Sequence, residues 1–266
     1  MSYQIVVCGG LAPDPLQTLE PVSSPTGPAL KNEMMLPAVL DPWASHALYE
    51  AAHLAKQFPG SKVTLVSMSP KAKLQQVMMT VAQKLPFELV PIDGPGGGFT
   101  DAASVASALA EAILAIPGLD RSQMLVFGGW ESATRGAGVV MQMVGEKLGI
   151  TEQFLAVDEL KVDAAGVLTV KERVEGGRHM VSTCSAPPAV LAWATGSLPE
   201  PGNHPQTGMA NMRAMMPALQ KARPAALTSA IRYSSVALPA VTRQTKIVKD
   251  VPAAEIAKEL AEWMKQ

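Results

Sequence analysis

Residues 123–138 read QMLVFGGWESATRGAG. The apolar run 123–127 passes without a break into Gly128-Gly129. A helical stripe of Val140, Met143, Val144 and Leu148 follows, and Gly149 closes it. A short, wholly apolar strand that ends in small residues and opens a helix is the repeating unit of a parallel sheet. Such strands are buried on both faces, and only a crossover can join them. The same unit recurs upstream. Residues 88–92 (ELVPI) form a strand, Pro95 to Gly98 a glycine-rich loop, and Thr100 or Asp101 caps a helix with Val105, Leu109, Ala112, Ile113 and Ile116 on its inner face. Before that, 63–67 (VTLVS) reads as a strand and 71–85 as a helix.

The chain begins with an apolar strand at 3–8 (YQIVVC). The segment 9–40, rich in Gly, Pro and Ser, is expected to be a long irregular connection of the kind that carries function. A helix over 44–58 follows Asp41-Pro42 and stops at Pro59-Gly60, with Ala44, Ala47, Leu48, Ala51, Leu54 and Phe58 at helical spacing. Strand and helix thus alternate over the first 150 residues. This predicts an α/β fold, a mostly parallel sheet flanked by helices on both faces.

The period changes after residue 150. Residues 167–174 and 178–185 alternate polar and apolar around Glu175-Gly176-Gly177, a β-hairpin with one solvated face. Residues 188–194 form another apolar strand, 196–208 a Pro/Gly loop, and a helix runs through Met209–Leu219. The stretch 223–250 has little periodicity. A last amphipathic helix starts near Pro252 and is expected to bury Ile256, Leu260 and Trp263. These elements divide into an α/β nucleotide-binding domain over 1–222 and a C-terminal arm and helix over 223–266.

Composition excludes several classes. Apolar residues make up 48% of the 266 and charged residues 17%, against about 25% charged in a typical domain, so the chain is globular and not disordered. Its 22 Lys+Arg against 23 Asp+Glu leave a net charge of −1, and no basic stripe offers itself to nucleic acid. No stretch approaches the roughly 18 apolar residues of a membrane span. MSYQIVVCGG has no charged segment before a cleavable apolar run, so no signal peptide is expected. Cys8 and Cys184 are expected to be buried free thiols of a reducing compartment. With no Cys-x-x-Cys pair and four scattered histidines, no metal site is expected.

The familiar nucleophile, zinc-protease, P-loop and dinucleotide motifs are missing. The chemistry falls on three segments. In 128–138 small residues let backbone N–H groups approach an anion at a helix N-terminus, Ser132 and Thr134 add hydroxyls, and Arg135 adds a planar cation. The same segment also reads as an ordinary capped strand-to-helix turn. Asp41-Pro42-Trp43 reads locally as a helix start. Met209-Ala210-Asn211-Met212 follows an exposed-looking loop, where a Met offers an adaptable apolar knob.

Taken in order, these pieces resemble the β subunit of the electron transfer flavoproteins, from residue 3 to about 225. Asp41-Pro42-Trp43 with Ala47-Leu48-Tyr49-Glu50-Ala51 resembles the family's Asn-Pro-Phe stretch and Glu-Ala helix. Val66-Ser67-Met68-Ser69-Pro70 resembles its strand ending in Gly-Pro, and 124–142 its nucleotide-phosphate loop. Val170 to Gly177 resembles its signature hairpin, and Pro187-Pro188-Ala189-Val190 the strand that follows. Asn203-His204-Pro205 and Met209 to Ala214 resemble its recognition loop. The resemblance implies an adenine-nucleotide α-hydrolase-like fold and an electron carrier without substrate chemistry of its own. It implies a heterodimer with an α subunit that holds most of the FAD, and an AMP bound structurally in this chain. A flavin dehydrogenase would dock on the recognition loop, 196–214, and a bacterial cytoplasmic setting is expected.

By position the resemblance makes Cys8, Asp41, Trp43, Met68, Gly128, Ser132, Thr134, Arg135, Gly136, Ala137, Gly138 and Val139 the cofactor-binding set. Met209, Asn211 and Met212 become the partner-binding set, with Met209 in the place of the family's Leu anchor. The chain departs from the pattern in three places. Ala133-Thr134-Arg135-Gly136-Ala137-Gly138-Val139 replaces a loop with Gln and Thr, Lys84-Leu85-Pro86 replaces a Gly-Ala-Asp, and Met215-Met216-Pro217 replaces a basic run. These departures imply a divergent branch with a dedicated dehydrogenase. Two alternatives stay open. One is a bifurcating flavoprotein with a second FAD in place of AMP. The other is a nucleotide-binding enzyme or sensor of the universal-stress or ATP-pyrophosphatase type.

Overall fold

Ile5, Val6 and Val7 are all buried, yet they serve two different cores. They lie in strand β1 (Gln4–Cys8), where successive side chains leave opposite faces. Ile5 and Val7 point to one layer, Val6 and Cys8 to the other. A β-branched run with no polar face is stable only as a central strand, and β1 lies in the middle of a sheet.

The computed structural model describes the chain except residues 26, 229, 230, 232, 238, 239, 241, 243, 244 and 266. After β1 come β2 (Leu11–Pro13), β3 (Pro21–Ser24), β4 (Gly27–Leu30), β5 (Ala38–Leu40), helix α1 (Pro42–Gln57), β6 (Lys62–Ser69) and α2 (Lys71–Val81). Next are β7 (Glu88–Asp93), α3 (Ala102–Leu114), β8 (Met124–Gly129), α4 (Val140–Leu148), β9 (Gln153–Val162), β10 (Leu168–Val174), β11 (Arg178–Cys184) and β12 (Ala189–Trp193). Helix α5 (Pro205–Gln220), β13 (Arg223–Pro224) and α6 (Ala253–Trp263) complete the described elements.

Nine strands form one sheet in the order β11-β10-β9-β12-β8-β1-β6-β7-β13. The strands from β9 to β13 in that order are parallel to their neighbours, whereas β10 and β11 add an antiparallel flap. The predicted α/β class is therefore observed. Helices α1, α2 and α5 cover one face through Leu48, Leu54, Leu74, Met78, Met215 and Leu219. Helices α3 and α4 cover the other through Val105, Leu109, Ile113, Val144 and Leu148. The chain runs from β1 outward to β6 and β7, then returns to the other side of β1 as β8. The strand order reverses there, so the C-terminal ends of β1 and β8 open a crevice.

Two expectations about the strands change. The segment 9–40 is ordered into two small antiparallel pairs, β2 with β5 and β3 with β4. Its Pro and Gly residues break it into short ladders without preventing pairing. The predicted hairpin is part of a three-stranded flap, because β9 joins it. A bulge at Ala156 (φ +50), where the register with β12 shifts, breaks the alternation of β9 and hides it from a period-2 reading. The buried Glu172 supports this irregular stretch, accepting from Leu155 N at 2.8 Å and from Ser182 Oγ at 3.1 Å.

The chain divides into two units, Met1–Val236 and Ala237–Gln266. The first extends beyond residue 222, and Ala225 N bonds Asp93 O beside β13. In the second, α6 buries no residue. Ile256, Leu260 and Trp263, expected inside, are exposed, because a unit with one described helix has no second surface to cover an apolar stripe.

Cys8 and Cys184 are both buried and free. They belong to cores on opposite faces of the sheet, which stands between them. Burial pushes the Cys8 thiol up to about 12. A chromogenic aromatic disulfide should modify neither thiol in the native protein and both in denaturant, measured as thionitrobenzoate release with time.

Candidate functional site

The crevice at the ends of β1 and β8 is built around one carboxylate. Asp41 is only 4% exposed. It caps α1 by accepting from Trp43 N at 3.1 Å, and its other oxygen accepts from Ala133 N at 2.8 Å. One side chain therefore fixes both the start of α1 and the loop that leaves β8. Pro42 at the first helical turn needs no N–H partner and presets the helical φ.

The loop itself is internally bonded. Ser132 Oγ accepts from Thr134 N at 3.2 Å and Arg135 N at 3.1 Å and lies 2.8 Å from Thr134 Oγ1. Ser132 O accepts from Gly136 N at 2.8 Å. The N–H groups of Ala133, Thr134, Arg135 and Gly136 are thus engaged within the protein and are not aimed at a ligand. The Arg135 guanidinium reaches the glycine-rich loop, donating from Nη1 to Gly97 O at 3.2 Å and to Thr100 O at 3.4 Å. Glycine is required opposite, since a Cβ on Gly98 would collide with Thr134 O. Arg135 Nε is buried without a hydrogen-bond partner. Burial lowers the Arg135 pKa, and the negative field of Asp41, Tyr233 and Asp101 opposes that shift.

Two cavities result. The smaller, about 70 Å³, is bordered by Cys8, Asp41, Met68, Ser132, Thr134 and Arg135, all in the predicted cofactor set. The larger is a cleft of about 1120 Å³ that shares Leu11, Gly96 and Thr134 with it. Ligand pockets usually measure about 300–1,000 Å³, so the smaller cavity has no room for a whole nucleotide and the cleft has. The other predicted residues stand apart. Gly128 lies in β8 against Met141, and Trp43 is half-buried beside Gly129. Gly136 (φ +58) and Gly138 (φ +62) turn the chain toward α4. With Ala137 and Val139, they are absent from the described linings of both cavities.

A second cluster holds the segment before α5. Glu50, 5% exposed on α1, accepts from Ser197 N at 2.7 Å and Leu198 N at 2.9 Å. Gly196 (φ +67) packs on it, where a Cβ would stand 2.5 Å from Glu50 Oε1. His53 Nε2 lies 2.9 Å from Pro199 O, Lys84 pairs with Glu200, and His204 N bonds Gln83 O. Helix α5 begins at Pro205, so Met209, Asn211 and Met212 sit on a helix. Met209 is 62% exposed. Asn211 is directed inward, donating to Ala82 O at 2.8 Å and Leu85 O at 2.6 Å, and Met212 packs on the core. Of the three expected contacts, only Met209 faces outward. Asn211 instead satisfies carbonyls at the end of α2.

Sequence reasoning passed over Glu50, although a carboxylate among Ala47, Leu48, Ala51 and Leu54 on a buried face was a visible signal. It also passed over Lys73, whose burial depends on residues 33–36 folding over α2 and had no local signal.

Architecture and crevice define an α/β protein of the open parallel-sheet class, with its ligand-sized cleft beside a strand-order reversal. Residues 32–232 match the family described as the electron transfer flavoprotein domain, and the chain belongs to that family. Comparison with curated proteins gave no match. Among the described residues no helix is long and apolar enough to cross a membrane, and no group of His, Cys, Asp or Glu is placed to hold a metal.

Two predictions follow the two carboxylates. Burial raises the Asp41 carboxyl above its ordinary 3.8, against the opposing N–H groups of Ala133, Trp43 and Ala44 and the charge of Arg135. Its proton is held more tightly folded than unfolded. The resulting stability is complete below pH 3.8 and is lost as pH rises through the raised value. Asp41→Asn should flatten that fall in urea titrations at successive pH, and Asp41→Ala should cost about 2–4 kcal/mol by removing a cap and a buried acceptor. Glu50→Ala should speed amide exchange at Ser197 and Leu198 and expose 196–204 to proteolysis, with exchange in β1 unchanged.

Proposed function

We propose that the chain is the β subunit of an electron transfer flavoprotein. It pairs with an α subunit and helps to hold an FAD that carries electrons from a flavin dehydrogenase to a quinone-reducing acceptor. The observation that carries this reading is the family match over 32–232, supported by the order of the hairpin, the Asn-His-Pro loop and the Met209 segment. The bound flavin supplies the redox chemistry, and the protein supplies placement and electrostatics. Trp43, half-buried beside Gly129, would serve as this chain's aromatic wall toward that flavin.

An AMP in this chain suits the donor set only in part. The buried, unpartnered Nε of Arg135 is a charge-bearing donor that suits a phosphate. The loop N–H groups are engaged elsewhere, so the phosphate contact falls to the guanidinium. The body of the nucleotide would need the neighbouring cleft. On the surface, Met209 on α5 offers the dehydrogenase an apolar anchor, and Glu50 holds the loop that leads into that helix. Residues 223–266 would extend over the α subunit. The apolar stretch 233–241 would also meet a partner; its residues 238, 239 and 241 lie outside those described.

The reading is tested by co-expressing the chain with an α subunit and extracting the purified complex with acid. A yellow complex that releases one FAD and one AMP supports it. Two FAD and no AMP would make the protein a bifurcating type. A colourless, stable monomer that hydrolyses ATP would overturn it. Arg135→Met should lower the AMP recovered about tenfold or more, the loss of one charged hydrogen bond, with FAD unchanged.

A further inference from the structure

The nine-stranded sheet ends in two very different strands. At one end β13 is two residues long and contains Pro224. Such an edge is guarded, because it offers few N–H and C=O groups to an incoming strand. At the other end β11 is seven residues long and pairs with β10 along its whole length, from Leu168 opposite Cys184 to Val174 opposite Arg178, with no shift of register. Its sequence, RHMVSTC, holds neither the proline nor the lysine that commonly blocks an edge. In an antiparallel pair, alternate residues direct both N–H and C=O away from the neighbouring strand. Among the described residues no strand lies beyond β11 to receive them. Consecutive side chains leave opposite faces of a strand, and Arg178, His179, Met180 and Val181 are all exposed, so both faces of the flap are open here. Met180 is 50% exposed and Val181 64%. His179 lies 3.0 Å from Asp158, whereas Arg178 makes no ion pair among the described residues.

We infer that β11 is an interaction edge at which the α subunit adds a β-strand, with an acidic residue of that strand opposite Arg178. N–H and C=O groups in alternation along a straight edge are matched by the backbone of another strand, which gives the class of the occupant. Met180 and Val181 supply apolar contacts to its side chains, one on each face of the extended sheet. Charge separates the occupant from a second copy of this chain. β11 carries Arg178 and no carboxylate, so β11 of a copy has nothing to pair with that guanidinium, and a strand with an acidic side chain does. The naming of the partner as the α subunit rests on the electron-carrier reading.

The test is amide-resolved hydrogen exchange by mass spectrometry on the complex purified after co-expression with an α subunit. Every amide of 179–183 should exchange at least about a hundredfold more slowly than a solvent-exposed amide, including the alternate ones that β10 leaves unbonded. Arg178→Glu should raise the dissociation constant of the complex at least about tenfold in analytical ultracentrifugation, and Arg178→Lys should change it less than about threefold. Thermal melting of each variant identifies loss of fold. A yellow heterodimer in which alternate amides of 179–183 exchange as freely as exposed ones would overturn the edge and leave the electron-carrier reading standing. A folded Arg178→Glu protein that binds the α subunit as tightly as before would overturn the acidic strand. A homodimer with these amides protected would overturn the inference in favour of self-pairing.

Discussion

The buried carboxylate of Asp41 is the constraint on which the crevice depends. Its two oxygens hold two pieces of backbone that are distant in the chain, the first turn of α1 and the loop after β8. A cap residue ordinarily serves one helix. Here the second oxygen reaches Ala133, so the position of α1 on the sheet sets the position of Ser132 and Arg135. Arg135 then carries the connection to Gly97 and Thr100. Three segments at the ends of parallel strands become one frame through two oppositely charged side chains. The cost of burying those charges is partly offset by backbone dipoles.

That frame explains how the site departs from a simple phosphate loop. The parallel sheet and its reversal at β1 provide a crevice by topology alone. The loop closes on itself through Ser132, and the cation of Arg135 replaces the N–H cradle as the group left with an open donor. The segment before α5 is organised by the same physics at a second point. Glu50 on the far part of α1 accepts two N–H groups of a loop that turns through Gly196. The cap of α1 and a carboxylate within it thus hold one loop each.

Much of this was legible in the sequence. The mostly apolar runs of β1, β6 and β8 required a sheet covered on both sides, and Pro42 and Gly149 marked helix limits that the structure keeps. Cys8, Asp41, Met68, Ser132, Thr134 and Arg135 do converge on one cavity. The reading was weaker wherever the answer depended on distant partners. Asn211 looked like a surface residue of a docking segment, but its amide is satisfied by Ala82 and Leu85, more than a hundred residues away in sequence. The stripe of α6 predicted burial, but a stripe states only that an apolar face exists and leaves open what covers it.

The sequence by itself determined the class of the fold, because periodicity and strand polarity are local properties that one face or two faces of burial impose. It also determined which residue types stood at the strand ends. The tertiary structure alone decided which donors remained open and which charges met. Whether the N–H of Ala133 points to a ligand or to Asp41 depends on a contact across 92 residues. Whether Lys73 is a solvated surface charge or a buried one depends on residues 33–36 folding over α2. Hydrogen-bond satisfaction and desolvation are set by whatever lies within a few ångströms in space, and the linear sequence does not contain those neighbours.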